Sequence, residues 1–365
     1  MIKSCYIHIP FCKSICSYCD FCKNFYDDNI CFNYIDALYS EIKDNYKNET
    51  LDTLYIGGGT PSSLSIKNQK KLFNVLKNFK LSKKYEFTYE CNYEDITEEL
   101  LILLKENRVN RLSIGIQTFN ENYQAFLQRK INKKDIIDKI NLSKKYFDNI
   151  NIDLMYALNN ESINDLKRDL EVIKKININH ISTYALIIEN NTKLKIDNVK
   201  EVSDDVQSKM YYFIKDYLES IGYEHYEISN YAKKGFKSKH NLTYWNNDNY
   251  YGFGIGASGF INNYRYTNTK SILNYINGKK VNYEETLDKN SLMKDEIMLN
   301  LRKINGINKT TFYNKYNCKL EDVFDYSNLV KMGYLIENDN IKINSKYLFV
   351  SNEIIIKLLD SFKLD

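Results

Sequence analysis

Short strand-like runs alternate with amphipathic, helix-like stretches through the first half of the chain. The runs predict strands at residues 4–9, 53–56, 86–90, 111–116, 149–155 and 180–186. The stretches between them predict helices at residues 32–46, 66–79, 97–106, 133–146 and 162–176. Strands that alternate with helices in this way are typical of parallel strands joined by crossover helices.

This repeat predicts an α/β fold, a (β/α)6 partial barrel of the TIM type, with its site at the carboxyl ends of the strands. An open doubly wound sheet gives the same local pattern and remains the alternative. After residue 187 the rhythm changes to a helix expected at 203–221 and an aromatic, glycine-rich stretch at 223–266. Shorter pieces beyond residue 292 predict a small C-terminal α/β domain of winged-helix type. The expected domains are residues 1–190, 191–290 and 291–365.

Composition narrows the class of protein. Hydrophobic residues make up 43% of the 365 residues, enough for a sizeable core. The 51 basic and 47 acidic residues are interspersed, whereas nucleic-acid binders concentrate basic residues on one face. The sequence has no apolar run long enough to span a membrane and no signal-peptide pattern, so we expect a cytoplasmic protein without a nucleic-acid partner.

The eight cysteines point to metal or redox chemistry, because disulfide frameworks are rare inside cells. Cys12, Cys16 and Cys19 have the spacing C-x3-C-x2-C on a loop that follows the first predicted strand. Three thiolates can hold a [4Fe–4S] cluster and leave one iron open, where four cysteines would close it. The amino and carboxylate groups of S-adenosylmethionine (SAM) can fill such an open position.

Two alternatives accompany the cysteine motif. A structural zinc site usually adds a second cysteine pair, but Cys91 and Cys318 each stand alone in the sequence. Cys22, three residues after Cys19, is either a fourth ligand or a nearby free thiol, and we favour the free thiol because the open iron must stay free.

Polar residues and glycines fall at the ends of the predicted strands, where a barrel places its chemistry. A glycine turn at residues 57–59 ends the second predicted strand and permits close backbone approach to a ligand. Glu90 ends the third, Gln117 follows the fourth, and Asp153 lies in the fifth. Each of these residues could instead cap a helix, but the set together favours a ligand site.

A series of motifs spans nearly the whole chain. They are Tyr-Ile-His-Ile-Pro-Phe-Cys at 6–12, Cys-Ser-Tyr-Cys-Asp-Phe at 16–21, Gly-Gly-Gly-Thr-Pro-Ser at 57–62, Arg-Leu-Ser-Ile-Gly-Ile-Gln at 111–117, Tyr-Glu-Ile-Ser-Asn-Tyr at 226–231, His-Asn-Leu-Thr-Tyr-Trp at 240–245, Arg-Tyr-Thr-Asn at 265–268 and Met-Leu-Asn-Leu-Arg at 298–302. With these motifs the chain resembles the HemW branch of radical SAM proteins, relatives of the oxygen-independent coproporphyrinogen III oxidases. The resemblance implies the radical SAM partial barrel, a [4Fe–4S] cluster and bound SAM. It also implies SAM contacts from Tyr6, Gly58, Gly59, Thr60, Glu90, Gln117, Arg129 and Asp153.

The chain departs from the family pattern at a few positions. Ile131 and Ser258 stand where relatives commonly have histidine, and the proline usual after Glu90 is missing. These departures bear on details of the substrate pocket.

The resemblance leaves two functions open. The oxidases carry a longer segment before the cluster motif and a further cysteine two residues past the third ligand, where this chain has Phe21. That difference favours the haem chaperones, which deliver haem to target proteins, so we expect haem, haem-accepting proteins and an electron donor as partners. The alternative is a coproporphyrinogen III oxidase, which cleaves SAM reductively and decarboxylates its porphyrinogen substrate.

His240 is the residue we expect to ligate haem. Imidazole is a suitable axial ligand for haem iron, and Tyr244 and Trp245 follow closely enough to stack beside a porphyrin. The alternative is a structural histidine packed beside aromatic residues of the core.

Overall fold

The computed structural model describes residues 1–129 and 132–363. The strands of the first half are β1 (Ser4–Ile9), β2 (Phe11–Cys12), β3 (Asn24–Phe25), β4 (Thr50–Gly58), β5 (Lys80–Asn92), β6 (Arg111–Gln117), β7 (Asn149–Tyr156) and β8 (His180–Ala185). The helices between them are α1 (Asp28–Asn45), α2 (Ile66–Leu76), α3 (Glu98–Glu106), α4 (Glu121–Phe126), α5 (Lys133–Lys144) and α6 (Ile163–Ile176). Every strand and helix expected in this half is present, and β4 and β5 are longer than predicted.

The order of the strands distinguishes the two folds that the sequence left open. Strands β1, β4, β5, β6, β7 and β8 are parallel neighbours in chain order. A doubly wound sheet reverses its strand order at a switch point, whereas a barrel follows the chain. Because β1 pairs with a later strand rather than with β8, the barrel is partial. The predicted partial barrel is confirmed.

The second half extends this sheet at both edges. Its strands are β9 (Glu224–Glu227), β10 (Asn230–Ala232), β11 (Tyr250–Phe253), β12 (Ser258–Ile261), β13 (Tyr264–Asn268) and β14 (Val281–Thr286). Its helices are α7 (Lys193–Ile196), α8 (Asp204–Ser220), α9 (Lys239–Trp245) and α10 (Ile272–Ile276). Within the described residues the sheet has twelve strands, in the order β14-β13-β12-β11-β1-β4-β5-β6-β7-β8-β10-β9.

The C-terminal part forms a small sheet of its own, as the sequence predicted. It contains α11 (Lys289–Asn300), β15 (Ile307–Asn308), α12 (Lys309–Tyr316), α13 (Leu320–Val323), α14 (Ser327–Lys331), β16 (Leu335–Glu337), β17 (Asn340–Ile343) and α15 (Ser351–Leu359). Strand β17 lies between β15 and β16, antiparallel to both. Backbone bonds from Ile228 to Arg302 and from Ile304 to Tyr226 join this part to the β9 edge of the barrel.

The barrel strands carry two different faces because side chains alternate along a strand. On β6, the buried apolar residues Leu112, Ile114 and Ile116 alternate with Arg111 and Ser113. The latter two line a cavity inside the barrel, so the apolar set packs outward against the helices. On this strand the inner face of the barrel is therefore polar, as the binding of a polar ligand requires. In the described part of the chain, no helix combines the length and apolar character needed to cross a membrane.

Candidate functional site

The cysteine loop begins where β1 ends, at the carboxyl edge of the barrel. Strands β2 and β3 pair and fold the loop back, with Asn24 N donating to Pro10 O at 2.6 Å and Tyr26 N to Cys12 O at 2.9 Å. Inside the loop, Cys19 N donates to Cys16 O at 3.3 Å. The loop thus has fixed ends and presents its thiols toward the barrel mouth.

Cys12, Cys16 and Cys19 line one cavity of about 440 Å³ together with the strand ends. Cys12 is 6% exposed, and burial raises the pKa of its thiol to about 11. Burial also raises the pKa of Cys19, with Lys23 acting in the opposite direction. Buried thiols of this kind lose their protons only when a nearby cation stabilises the thiolate, as the iron of a bound cluster would.

The arrangement of the three thiols suits an iron–sulfur cluster better than a single metal ion. All are free thiols facing the same space, and the Thr60 hydroxyl donates to Cys12 Sγ at 3.4 Å. In the described residues no three cysteine, histidine or acidic side chains converge as ligands of one single ion would, whereas a cubane gives each thiolate a different iron. The donor set therefore suits a [4Fe–4S] cluster with one iron left open.

Cys22 lies in a different place. It lines a second cavity of about 390 Å³ with Tyr6, His8, Tyr244 and Ser258, among others. Its thiol donates to Lys270 O at 3.7 Å, and burial raises its pKa. Its place in a separate cavity supports the interpretation of Cys22 as a free thiol. Ser258, which stands where relatives commonly have histidine, lines this second cavity and not the main one.

The glycine turn supports the cysteine loop directly. Gly59 N donates to Ile9 O and Thr60 N to Phe11 O, both at 2.8 Å. A Cβ on Gly59 would lie 2.8 Å from the carbonyl carbon of Pro10 and 3.0 Å from Cys12 Sγ. At Gly58, where φ is +117°, a Cβ would lie 2.6 Å from the His8 ring. Gly59 is needed because it packs against the cysteine loop, and Gly58 because it packs against His8 of β1 at a positive φ. The sequence did not reveal these two contacts.

We expect Gly59→Ala to lower cluster iron and SAM binding together. The added methyl group would displace the backbone between Pro10 and Cys12, and so would move a cluster ligand. Iron and sulfide counts, paired with SAM titration of the reconstituted protein, measure both effects. Gly278→Ala is the control for backbone strain alone: its φ of +88° strains any side chain there, but a Cβ meets no atom within 4 Å, so iron content and SAM binding should stay unchanged. SAM loss at full iron content would show instead that the turn contacts SAM alone.

The acidic residues at the strand ends enter the same cavity. Glu90 accepts the Tyr55 hydroxyl at 2.6 Å and Gly58 N at 3.0 Å, and burial raises its pKa to about 7. Asp153 accepts the Asn151 amide at 2.8 Å, and burial raises its pKa as well. Two carboxyl groups held in this way can accept hydrogen bonds from the amino or ribose groups of a ligand.

Arg129 closes the cavity from the loop after α4. Its Nη2 donates to Gly115 O at 2.9 Å and to Asn92 Oδ1 at 3.3 Å, while Nη1 donates to the Tyr18 hydroxyl at 3.5 Å. The arginine therefore ties the cysteine loop to strands β5 and β6. Lys130 and Ile131, the site of one family departure, lie outside the described residues.

The structure brings most of the expected residues together. The main cavity is lined by the three cysteines and by Gly58, Gly59, Thr60, Glu90, Gln117, Arg129 and Asp153. Tyr6 lies apart from them: it lines the second cavity, and its hydroxyl is 3.0 Å from His8 Nδ1.

His240 is far from any open surface. It is 1% exposed, with Nδ1 2.8 Å from Thr53 Oγ1 and Nε2 2.8 Å from the Tyr244 hydroxyl. Its ring stacks on Tyr55, and burial lowers its pKa to about 3. Both ring nitrogens are engaged inside the barrel, so neither is available to a haem iron in this conformation. This geometry favours the structural histidine over the axial ligand.

Sequence reasoning missed several polar residues of the cavity. They are Asn92, Arg111, Ser113, Asn151, Ser182, Tyr184 and Asn241. Most stand on strands β6, β7 and β8 at alternate positions between apolar residues. Polar residues with period two in otherwise apolar strands are a signal that could have identified them.

Comparisons with known proteins show the family of the chain. Residues 6–173 match the model of the Radical SAM superfamily. The chain is 38% identical to the haem chaperone HemW of Lactococcus lactis, over 88% of this chain and 87% of that one. It is 36% identical to the haem chaperone HemW of Bacillus subtilis, over 88% of this chain and 89% of that one.

A solved structure shares the fold. The radical SAM enzyme HemN of Escherichia coli, a coproporphyrinogen III oxidase, superposes with a TM-score of 0.86 over 99% of this chain and 90% of its own. The two sequences are 20% identical, so this likeness shows the fold alone.

Proposed function

Since the chain belongs to the HemW family of radical SAM proteins, we propose that it binds haem and delivers it to haem-accepting proteins. The observation that carries the proposal is the convergence of three free thiols and the polar strand ends on one cavity. The relatives matched over most of this chain are named haem chaperones, which favours haem over a porphyrinogen substrate.

Within this proposal the residues of the main cavity have separate tasks. Cys12, Cys16 and Cys19 hold the cluster, which supplies the electron for reductive cleavage of SAM when both are bound. Glu90 and Asp153 accept hydrogen bonds from SAM. Gly58, Gly59 and Thr60 hold the cysteine loop, while Gln117 and Arg129 close the rim beside it. Tyr6 lies in the second cavity and supports the main one through its ring contact with Tyr55.

The mouth of the cavity suits a large apolar ligand. Phe21 and Ile187 line it and are 67% and 59% exposed, and Tyr184 beside them is 43% exposed. Exposed apolar side chains gathered at a polar cavity mark a binding surface. We propose that the haem macrocycle lies against this rim, and that haem acceptors and an electron donor meet the protein here in the cytoplasm.

The test is anaerobic reconstitution followed by haem and porphyrin assays. We expect one cluster per chain, a Soret band on adding haem, and no conversion of coproporphyrinogen III in the presence of SAM and reductant. Haem transfer to an apo-acceptor, followed by the acceptor's own absorbance, measures delivery.

Two results would contradict the proposal. Absence of a Soret shift at haem concentrations well above those of the protein would remove haem as a ligand. Robust anaerobic formation of protoporphyrinogen IX would instead identify the alternative function, the coproporphyrinogen III oxidase.

A further inference from the structure

Arg111 is a charged side chain buried inside the barrel. It opens strand β6, is 2% exposed, and is among the largest fully buried side chains of the described chain. Arg111 is one of the residues that line the main cavity, together with Ser113 and Asn241. An arginine with this burial is almost always paired with a carboxylate or a full set of acceptors.

The protein itself does not supply these partners. In the described residues, the only hydrogen bond of the Arg111 side chain runs from Nη1 to Thr88 Oγ1, at 3.5 Å. Its Nε is buried without any acceptor, and none of the described carboxylates forms an ion pair with it. A guanidinium has five N–H donors in a planar fork that matches a carboxylate. The cavity therefore contains an anion-binding group whose anion is not part of the protein.

Two buried carboxyl groups feel the charge of Arg111, although neither forms an ion pair with it. Burial raises the pKa of Glu90 to about 7 and also raises that of Asp153, and the arginine charge opposes both shifts. On its other side lie two histidines, His180 and His240, whose pKa values burial lowers far below the usual range. Both imidazoles are thus neutral and add no positive charge beside Arg111, whose Nε has no acceptor among the described residues.

The position of Arg111 distinguishes between two possible anions. If the three cysteines hold a cluster with one open iron, the carboxylate of SAM would be held beside the cysteine loop, at the rim. Arg111 begins β6, whereas Gln117 ends the same strand at the rim, so Arg111 enters the barrel from the end of the strand opposite the rim. The anion at the floor must come from the far end of another ligand. With the apolar rim of Phe21 and Ile187, the cavity fits an apolar body that carries a flexible carboxylate arm.

We propose that Arg111 anchors a carboxylate arm of the ligand that enters the main cavity and, resting on the proposed haem binding, that this arm is a haem propionate. The macrocycle lies at the rim and one propionate descends to the guanidinium. Arg111 is then the residue that selects tetrapyrroles with free carboxylates.

The experiment compares haem with its dimethyl ester, which has the same macrocycle and no carboxylate. Dissociation constants are measured by absorbance titration of reconstituted wild type, Arg111→Met, Arg111→Lys and Arg168→Met. We expect wild type to bind haem about 10-fold to 100-fold more tightly than the ester, because charge-assisted bonds to a buried guanidinium are lost. In Arg111→Met this ratio should fall to about one, and Arg111→Lys should keep part of it.

The controls separate the possible failures. Arg168, 73% exposed and paired with Asp165, loses the same charge without touching the cavity, so its variant should behave as wild type. SAM affinity should be unchanged in Arg111→Met, and its melting temperature should stay close to that of wild type, because the removed guanidinium forms no ion pair in the described residues and its Nε has no acceptor there.

Three outcomes would overturn the inference. One is a haem-to-ester ratio in Arg111→Met as large as in wild type. Another is loss of SAM affinity in that variant with the ratio preserved, which would assign the arginine to SAM. The third is a melting temperature several degrees below wild type, which would identify Arg111 as the counter-charge of Glu90 and Asp153. A wild type that binds neither porphyrin would refute haem binding itself, and is recognised without any variant.

Discussion

Replacing Cys12, Cys16 or Cys19 by alanine should each abolish the cluster. All three thiols line one cavity, and a [4Fe–4S] cluster already short of one protein ligand cannot keep two irons open. Iron and sulfide per chain should fall from about four each to near zero, with loss of the broad charge-transfer absorbance of the reconstituted protein. SAM should then cease to perturb the electron paramagnetic resonance spectrum, because no cluster remains.

Cys22→Ala tests whether the three cysteines are the only thiols that hold the cluster. Cys22 lies in the second cavity, so its variant should keep full iron content and the SAM response. Cys318→Ala is a matched control, since Cys318 contacts Met293 in the C-terminal part, away from both cavities. Loss of iron from Cys22→Ala alone would make it a fourth ligand and would contradict the open iron.

The barrel could be predicted because its signals are local. Each parallel strand and its helix show their own periodicity, and chain order then gives neighbour order. Strands β11 to β14 were not predicted, since their aromatic and glycine-rich sequence hides the alternation. The pairing of β11 with β1 also joins Tyr250 to Ser4 across most of the chain, which no local pattern encodes.

The residues of the candidate site also fall into two groups, those that local sequence patterns reveal and those that depend on contacts between distant parts of the chain. The cysteine spacing and the strand-end carboxylates act over a few residues, so the sequence showed them. The reason for Gly59 was not visible, because it depends on contact with Pro10 and Cys12, nearly fifty residues earlier in the chain. The sequence placed Arg111 in a strand and gave it no role in the site. Its role is inferred from the shortage of hydrogen-bond acceptors around its buried side chain, which only the folded structure shows.

His240 shows where local reasoning failed. Tyr244 and Trp245 follow it in the sequence and suggested a stacking platform for a porphyrin. The partners that define its role, Thr53 and Tyr55, stand on β4, nearly two hundred residues earlier. A histidine in an aromatic motif can therefore have a structural role, with its ring packed and hydrogen-bonded inside the core.

We expect His240→Ala to lower stability strongly and to leave the haem spectrum unchanged. The substitution removes a fully buried ring, opens a cavity beside Tyr55, and leaves Thr53 and the Tyr244 hydroxyl without their partner. Lost packing and two orphaned polar groups together should cost about 3 kcal/mol or more. Thermal denaturation measures the loss, and haem titration at a temperature where the variant remains folded measures the Soret band.

Tyr244→Phe separates the hydrogen bond from the ring. It removes one partner of His240 and should cost only about 1 kcal/mol, again with an unchanged Soret band. A His240→Ala variant that melts like wild type but loses or shifts its Soret band would restore His240 as the haem ligand. That result would require α9 to leave the barrel when haem binds, because in the structure its backbone is held by Glu86, which accepts from Lys239 N at 3.0 Å and from His240 N at 3.1 Å.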